Sequence, residues 1–317
     1  ITIINYKFFT NRYIIYDKKI KGREYDGYNN NLLFEGEYLN GKRHGKGKEY
    51  NRNGELRFEG EYLNGKRWNV NGYTQDNNIV YELKEGKGAV REYNYEGNLE
   101  FVGKYLNGLR NGKGKEYHWF NGRLIFEGEY LNGKKHGKGR EYNDYGELKY
   151  EGEYLYGNKW NGHFYDGLNN IVSELKEGKG TIKEYFFHGK LGFEGEYLNG
   201  QRYGKGKIYG WYGKLIFEGE YLYGNRLKGK GYINEKLEYE GEYLYNKKYN
   251  GKGYDENGNI IYELIYGNGK VKEYYDGILI FEGEYLNGKR WNGKEYGLED
   301  ELIFEREYLD GERNIKG

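Results

Sequence analysis

FEGEYLNGKRHGKGKEY, residues 34–50, has the pattern of two β-strands joined by a turn. Phe34, Gly36 and Tyr38 alternate with two glutamates, which is the period-two pattern of a strand. An Asn-Gly dipeptide follows, and this dipeptide favours the tight turn of a β-hairpin. The glycine-rich segment GKGKEY then supplies a second strand. The stretch therefore predicts one β-hairpin.

The same stretch returns in closely similar form at 126–142 and 193–209. The middle glycine of the FEGEY box mostly recurs at intervals near 24 residues, as between Gly36 and Gly60. Three longer intervals, near 43 residues, each contain a shorter copy with leucine in place of that glycine, at Leu83, Leu175 and Leu264. Leucine recurs there every 89 to 92 residues, so a second, longer period overlies the first. A period of about 20–50 residues predicts an array of units that stack on their neighbours.

Ten full copies, three short copies and a first copy that begins near Tyr13 give fourteen repeats. The turns between hairpins are also short, so consecutive strands must be antiparallel neighbours. The expected fold class is all-β, an elongated single-layer antiparallel β-meander built from about fourteen tandem β-hairpin repeats. Both a complete chain and a piece of a longer protein fit a sequence that starts at Ile1. We expect one array over residues 1–317, with short divergent repeats near 13–33, 81–100, 173–192 and 262–280.

The glycines and charges predict how adjoining strands fit together. Gly45 and Gly47 have no side chain, which leaves room for an aromatic ring from the neighbouring strand. On the other face, Glu35 and Glu37 are expected opposite the two lysines of GKGKEY. The sequence leaves open whether Tyr50 faces the rings or the glutamates, because that depends on a bulge beside it.

Composition excludes several classes of protein. Only 36% of the 317 residues are hydrophobic, yet 19% are aromatic, which is too rich in rings for a disordered chain. The 54 glycines follow no three-residue period and proline is absent, which excludes collagen and a proline-rich rod. With no cysteine, disulfides, cysteine-ligated zinc and thiol catalysis are excluded. A net charge of +1 gives no global attraction to nucleic acid or membrane. No apolar stretch is long enough to span a bilayer.

The pattern [YF]-E-G-E-Y-x-N-G-K-x-x-G-x-G, found at 34–47, 126–139 and 193–206, resembles the MORN repeat (membrane occupation and recognition nexus). The resemblance extends over nearly the whole chain. Two positions depart from the usual repeat, with Glu49 in place of an aromatic residue and Tyr38 in place of the commoner tryptophan. The resemblance implies a hairpin meander that acts in scaffolding, membrane-associated assembly or protein docking, in some proteins beside a separate catalytic domain.

No constellation of residues indicates catalysis. A phosphate-binding loop needs four residues between its glycines, whereas Gly41 and Gly45 enclose only three. His44 and His136 occupy equivalent positions four repeats apart, too distant to share a metal. Paired glutamates recur in most copies, as a structural face does and an active site does not. Ser173 is the only serine and has no histidine beside it. We therefore expect no enzyme, no cofactor and no metal.

The segment after each Asn-Gly turn predicts an interaction rim. We interpret it as a long loop whose tips are basic and often aromatic, and whose tips align along one edge of the sheet. Basic and aromatic side chains together suit an anionic membrane surface or an acidic protein. The alternative is that these residues are solvated and that each Trp packs over the neighbouring loop. The rim residues are Lys42, Arg43, His44, Lys66, Arg67, Trp68, Lys134, Lys135, His136, Lys159, Trp160, Arg202, Tyr203, Lys247, Lys248, Tyr249, Lys289, Arg290 and Trp291.

The predicted function is a non-enzymatic scaffold that presents a long repeat ribbon for protein docking. Three alternatives are a peripheral membrane tether that binds anionic lipid through the rim, an accessory module of an enzyme outside this chain, and a bacterial antitoxin or immunity protein. A protein partner is expected, with an anionic membrane surface as the second candidate. A homodimer through a sheet end is also open. No nucleic acid partner is expected, since the rows of glutamate would repel phosphate. The expected location is the cytoplasm, or the cytoplasm beside a membrane.

Overall fold

The computed structural model describes residues 20–27, 30–74, 76, 78–94, 98–275, 278–297, 301–309 and 312–313. The first copy, predicted to begin near Tyr13, lies in part outside these residues. Within them the protein is all-β and every strand pair is antiparallel, so the predicted fold class of tandem β-hairpins is confirmed. No helix long and apolar enough to cross a membrane occurs in this described part.

The chain divides into two units, Ile1–Gly157 and Asn158–Gly317. Unit 1 contains strands β1 (Ile20–Tyr25), β2 (Leu32–Leu39), β3 (Lys42–Tyr50), β4 (Leu56–Leu63), β5 (Lys66–Tyr73), β6 (Ile79–Leu83), β7 (Gly88–Tyr93), β8 (Leu99–Leu106), β9 (Leu109–Tyr117), β10 (Leu124–Leu131), β11 (Lys134–Tyr142) and β12 (Leu148–Leu155). In this unit β1 to β6 form one sheet in chain order, and β7 begins another.

Unit 2 contains β13 (Asn158–Tyr165), β14 (Ile171–Leu175), β15 (Gly180–Tyr185), β16 (Leu191–Leu198), β17 (Gln201–Tyr209), β18 (Leu215–Leu222), β19 (Asn225–Ile233), β20 (Lys236–Leu244), β21 (Lys247–Tyr254), β22 (Ile260–Leu264), β23 (Gly269–Tyr275), β24 (Ile278–Leu286), β25 (Lys289–Tyr296), β26 (Leu302–Leu309) and β27 (Glu312–Arg313). Here β15 to β22 form an eight-stranded sheet, and β23 to β27 form a five-stranded sheet.

The short copies are the places where one sheet ends and the next begins. Their leucines, Leu83, Leu175 and Leu264, are buried at the ends of β6, β14 and β22. Beyond each leucine only a single bridge joins the two strands of the copy, as between Lys84 and Lys87. The longer period of the sequence therefore corresponds to the spacing of breaks between sheets.

The Asn-Gly dipeptides form the predicted tight turns. Asn40 and Gly41 have φ values of 51° and 70°, both in the left-handed region that a type I′ hairpin turn requires. Strand β3 begins directly at Lys42. The long loop that we predicted after the turn does not exist, because Lys42, Arg43 and His44 already belong to the strand.

The register confirms part of the predicted packing. Glu35 lies opposite Lys48, as expected. Glu37 does not lie opposite a lysine of its own hairpin, because a bulge shifts the register after Gly36 and the Glu37 carboxylate accepts a hydrogen bond from the backbone N–H of Lys46 at 3.2 Å. Gly45 is needed for this bulge, with φ at 83°, rather than to make room for a ring. The prediction for Gly45 was therefore wrong.

The core is a row of aromatic rings on one face of each sheet. The ring of Phe34 covers Gly36 and Gly47, where an added Cβ would lie 2.8 and 2.6 Å from its Cζ atom. Tyr38 and Tyr62 meet this ring edge to face, with centroids 5.5 and 5.3 Å away. The same arrangement surrounds the other fully buried phenylalanines, which are Phe101, Phe126, Phe193, Phe217 and Phe281.

Tyr50 lies on the face opposite the rings. Its hydroxyl donates a hydrogen bond to the carboxylate of Glu35 at 3.0 Å. Glu49 pairs with Phe34 and therefore lies on the ring face. Tyr50 therefore faces the glutamates, which answers the question that the sequence left open. The Glu49 carboxylate lies on the ring face instead.

Candidate functional site

The predicted rim residues occupy the first three positions of the strand that follows each hairpin turn. Successive side chains of a strand point to opposite faces, so the three positions do not share a surface. The middle residue points to the ring face, because Arg43 lies opposite the core residue Tyr38. The first and third residues point the other way.

The middle basic residue of each copy lies against the core. The guanidinium of Arg43 lies 4.0 Å from the centroid of Phe34, which places the ring between a cation and two glycines. Its side chain is only 24% exposed. The interpretation of these middle residues as rim residues was wrong, because cation–π contact with a core ring holds each one inward. They are Arg43, Arg67, Lys135, Lys159, Arg202, Lys248 and Arg290, joined by Arg110 and Arg226.

In unit 1 these cations alternate with carboxylates in a continuous series, here called the charge ladder. Arg43 pairs with Glu24 at 2.7 Å and with Glu49 at 3.0 Å. The series continues through Arg67, Glu92, Arg110, Glu116 and Lys135, with every neighbouring pair 2.7 to 3.2 Å apart. Arg43, Arg67 and Arg110 thus each link two carboxylates from different strands.

Two ladder carboxylates, Glu49 and Glu92, have lowered pKa values in spite of their burial. Burial disfavours the charged form of Glu49, but Arg67, Arg43 and the Tyr62 hydroxyl outweigh it, so the pKa of Glu49 lies below its usual range. Glu92 shows the same balance. Burial opposes its charge, Arg67 and Arg110 favour it, and the pKa of Glu92 is lowered.

In unit 2 the ladder is divided into pieces. Glu184 pairs with Arg202 at 3.0 Å, and Arg290 joins Glu273 at 2.9 Å and Glu295 at 3.5 Å. Between them, Ile208 lies opposite Phe193, the position that Glu49 takes opposite Phe34. The Tyr221 hydroxyl is buried without a hydrogen-bond partner, as is that of Tyr130 in unit 1, whereas the equivalent Tyr62 donates to Glu49.

The remaining rim residues lie on the outer face to different degrees. The first-position lysines Lys42, Lys66, Lys134 and Lys247 are exposed. At the third position, Trp68 and Trp160 pack over Gly86 and Gly178 of the next turn, where an added Cβ would lie 3.0 and 2.9 Å from each ring. Among the third-position rim residues, Tyr203 and Trp291 are exposed, and His44, His136 and Tyr249 are half-buried. The structure therefore brings together no continuous basic and aromatic rim.

A cluster of rings lies at the opposite edge of unit 2, on the turns that connect one hairpin to the next, with Trp211 and Tyr212 exposed and Phe186 and Phe187 half-buried. Phe186 and Trp211 stack with centroids 4.8 Å apart, and Phe187 lies 5.3 Å from Trp211. Trp211 is 57% exposed and Tyr212 is 89% exposed. We call the turns at 186–190 and 210–214 the aromatic turns.

The sequence contains a signal for the aromatic turns, namely the residue with which each turn begins. Most connecting turns begin with Asn or Asp, whose side chain caps the turn. Asn51, for example, accepts hydrogen bonds from the backbone N–H groups of Asn53 and Glu55 at 3.0 and 2.9 Å. The aromatic turns begin with Phe186 and Gly210, which have no side-chain acceptor. A connecting turn that has no capping side chain and carries aromatic residues therefore differs from the Asn- and Asp-capped turns. This difference can be read from the sequence.

The described residues contain no group of three or more histidine, aspartate or glutamate side chains arranged to hold a metal ion. No family model matches the sequence. No curated protein matches it either. Among solved structures, the chain is similar to a "Crystal Structure of TcdB2-TccC3 without hypervariable C-terminal region", with 12% sequence identity and a TM-score of 0.17. That match covers 92% of this chain but only 17% of the other chain.

Proposed function

We propose that this chain is a non-enzymatic scaffold of MORN-like hairpins that docks protein partners. The repeated motif supports the family assignment. The aromatic turns of unit 2 carry the proposal of docking, because their rings stack across two neighbouring turns and leave Trp211 and Tyr212 exposed. The connecting turn at 118–122 of unit 1 also exposes two rings, Trp119 and Phe120, but these lie within a single turn.

The composition of the aromatic turns suits a protein interface. Tryptophan and tyrosine are enriched at the centres of such interfaces, where each ring removes a large area from water. Leu168, which is exposed, lies beside Gly189 of the first aromatic turn and extends the apolar surface. Lys190 lies about midway between two rings, with its Nζ atom 5.9 Å from Phe187 and 6.0 Å from Tyr212. A partner with an apolar anchor and a nearby carboxylate matches this surface.

The test compares three versions of the protein as bait in an extract of the cells that express it. The wild type is compared with the double variant Trp211→Asn, Tyr212→Asn. The matched control is Tyr145→Asn, which removes an exposed ring from a connecting turn of unit 1. The proposal expects a partner that the wild type and the control retain and the double variant loses, and that binds again when purified. If all three baits retain the same proteins, docking at the aromatic turns is refuted.

A membrane tether is the second candidate function, and its support is the row of exposed first-position lysines. Each such lysine contributes about 1 kcal/mol near an anionic surface. Cosedimentation with phosphatidylserine vesicles at low salt tests it. Binding that disappears when Lys42, Lys66, Lys134 and Lys247 are changed to glutamine would favour the tether over protein docking.

A further inference from the structure

Three consecutive hairpin turns of unit 2 hold tyrosine in a left-handed conformation. Tyr223, Tyr245 and Tyr266 have φ values of 49°, 49° and 53°. A bulky side chain at positive φ is disfavoured by steric clash, whereas asparagine tolerates it. Six other hairpin turns place asparagine there, at Asn40, Asn64, Asn107, Asn132, Asn199 and Asn287, while Glu85, Glu177 and Tyr156 take this position singly in three more. The tyrosines are therefore present against the local preference of the backbone.

The fold gains little from these three rings. Tyr223, Tyr245 and Tyr266 are 71%, 78% and 66% exposed. In the part of the chain that the structure describes, none of the three hydroxyls has a hydrogen-bond partner, and only Tyr266 meets another ring, that of Tyr249 at 6.2 Å. A strained residue that the fold does not need is a candidate for function. We call the three residues the tyrosine row.

The backbone beneath the tyrosine row is held firmly. The N–H of Gly224 donates to the carbonyl of Arg202 at 2.9 Å, and the N–H of Gly267 donates to the carbonyl of Tyr249 at 2.8 Å. At the middle turn, the Asn246 side chain accepts from the backbone N–H of Arg226 and donates to Asn225, both at 2.7 Å. Rings on a fixed frame bind a ligand with a smaller loss of entropy than rings on a mobile loop.

The geometry of the tyrosine row indicates a linear ligand. The three turns join β18 to β19, β20 to β21 and β22 to β23, so they lie at the same edge of the meander. Successive turns are two strands apart, which places them at intervals of roughly 10 Å. In the described part of the chain no ring contact joins the three tyrosines to one another, so they are separate contact points. Each follows an exposed apolar residue, which is Leu222, Leu244 or Ile265. A ligand that repeats along its length matches evenly spaced rings.

The charges beside the tyrosine row exclude a strong preference for a polyanion. Lys228 and Lys247 are exposed, and so are Glu220, Glu242 and Glu263. With both signs interspersed, this edge lacks the positive groove that nucleic acid requires. A sugar ring offers an apolar C–H face to a phenol ring, and its hydroxyl groups can exchange hydrogen bonds with the tyrosine hydroxyls. We propose that the tyrosine row binds a neutral linear polysaccharide.

The test measures binding of the full chain to soluble neutral polysaccharides, namely hydroxyethylcellulose, glucomannan, arabinoxylan and amylose, by affinity electrophoresis and calorimetry. The variants are Tyr223→Asn, Tyr245→Asn, Tyr266→Asn and the triple combination. We expect the wild type to bind at least one of these polymers. Each single variant should bind roughly fivefold more weakly, as the loss of one aromatic contact predicts. The triple variant should not bind, and its thermal midpoint should equal or exceed that of the wild type, since asparagine suits these turns.

Two controls separate this inference from the proposed docking function. Tyr156→Asn changes the same kind of turn in unit 1, outside the row, and should leave binding unchanged. The aromatic-turn variant Trp211→Asn, Tyr212→Asn should also bind the polymer normally. The inference is overturned if no polymer binds the wild type, or if the triple variant binds equally well. Binding to heparin or single-stranded DNA in preference to the neutral polymers would likewise refute it. The inference also fails if the triple variant loses a protein partner but still binds the polymers as the wild type does.

Discussion

In unit 1 the charge ladder runs unbroken from Glu24 to Lys135, whereas in unit 2 it is divided into separate pieces. Both units nevertheless stack phenylalanine rings on glycine pairs in the same way, as Phe126 and Phe217 show. Stacking therefore does not require a continuous ladder. The ring, its glycines and the cation above it recur at all six fully buried phenylalanines, and the carboxylates form a second layer that can be lost locally.

At Ile208 the repeat lacks the carboxylate that other repeats have opposite their core ring. The Tyr221 hydroxyl beside it is buried without a hydrogen-bond partner. Arg226 still lies over Phe217, but it has no carboxylate partner among the described residues. The apolar side chain removes one charge from the core face and leaves two polar groups without their usual partner. The repeat therefore needs the stack of rings on glycines, whereas the carboxylate contacts can be absent from a given repeat.

Removing a core ring should have the largest effect, and it should be equal in the two units. Phe126→Ala and Phe217→Ala each leave a cavity over two glycines, so each should lower the free energy of unfolding by about 3–5 kcal/mol. Urea unfolding of both variants measures this. A clearly smaller loss for Phe217→Ala would show that the ring stack of unit 2 is not equivalent to that of unit 1.

Removing a ladder carboxylate should have the next largest effect. Glu92→Gln leaves Arg67 and Arg110 without a shared partner, and breaking a buried ion pair in this way costs about 3 kcal/mol. The control is Glu59→Gln, since Glu59 pairs with Lys48 at 3.0 Å in an exposed position. An exposed pair contributes about 0–1 kcal/mol. Similar losses for the two variants in urea unfolding would contradict a structural role for the ladder.

Matched tyrosine variants test the break in the ladder directly. Tyr62→Phe removes a hydrogen bond to Glu49 and should lower the free energy of unfolding by about 1 kcal/mol. Tyr221→Phe removes a hydroxyl that has no partner and should leave stability unchanged or slightly raised. Thermal unfolding of the two variants provides the comparison. Equal destabilisation would mean that Tyr221 has an acceptor in solution.

Acid should open unit 1 around the ladder before the region of Ile208. The pKa values of Glu49 and Glu92 are lowered in the folded state. Each carboxylate therefore contributes stability that is present above its unfolded pKa, near 4.5, and lost as the pH falls through the lower folded value. Ile208 has no charge to titrate. Hydrogen exchange at decreasing pH should show earlier loss of protection in β3 to β9 than in β17 and β18, and the reverse order would contradict this account.

Local rules made much of the fold predictable from the sequence. Alternation in FEGEY, the Asn-Gly turn and the glycine opposite Phe34 each follow from the chemistry of a few neighbouring residues. The face of Arg43 was not predictable in the same way, because it depends on where β3 begins. With a two-residue turn the arginine points to the rings, and with a longer loop it would lie in solvent.

The breaks between sheets and the two candidate binding surfaces were harder to predict. Leucine at positions 83, 175 and 264 identified the short copies, but the end of a sheet depends on backbone hydrogen bonds that side-chain patterns do not specify. The tyrosine row could have been found from the replacement of Asn-Gly by Tyr-Gly at residues 223 and 266. Its strain becomes visible only once the turn type is known.

The most direct test of the central claim compares two adjacent basic residues. Arg67 lies over Phe58 and pairs with Glu49 and Glu92, whereas Lys66 is exposed. We expect Arg67→Ala to lower the free energy of unfolding by about 3 kcal/mol. We expect Lys66→Ala to change it by no more than about 0.5 kcal/mol. Equal and small effects of both substitutions on urea unfolding would contradict the claim that the repeat places its middle basic residue in the core.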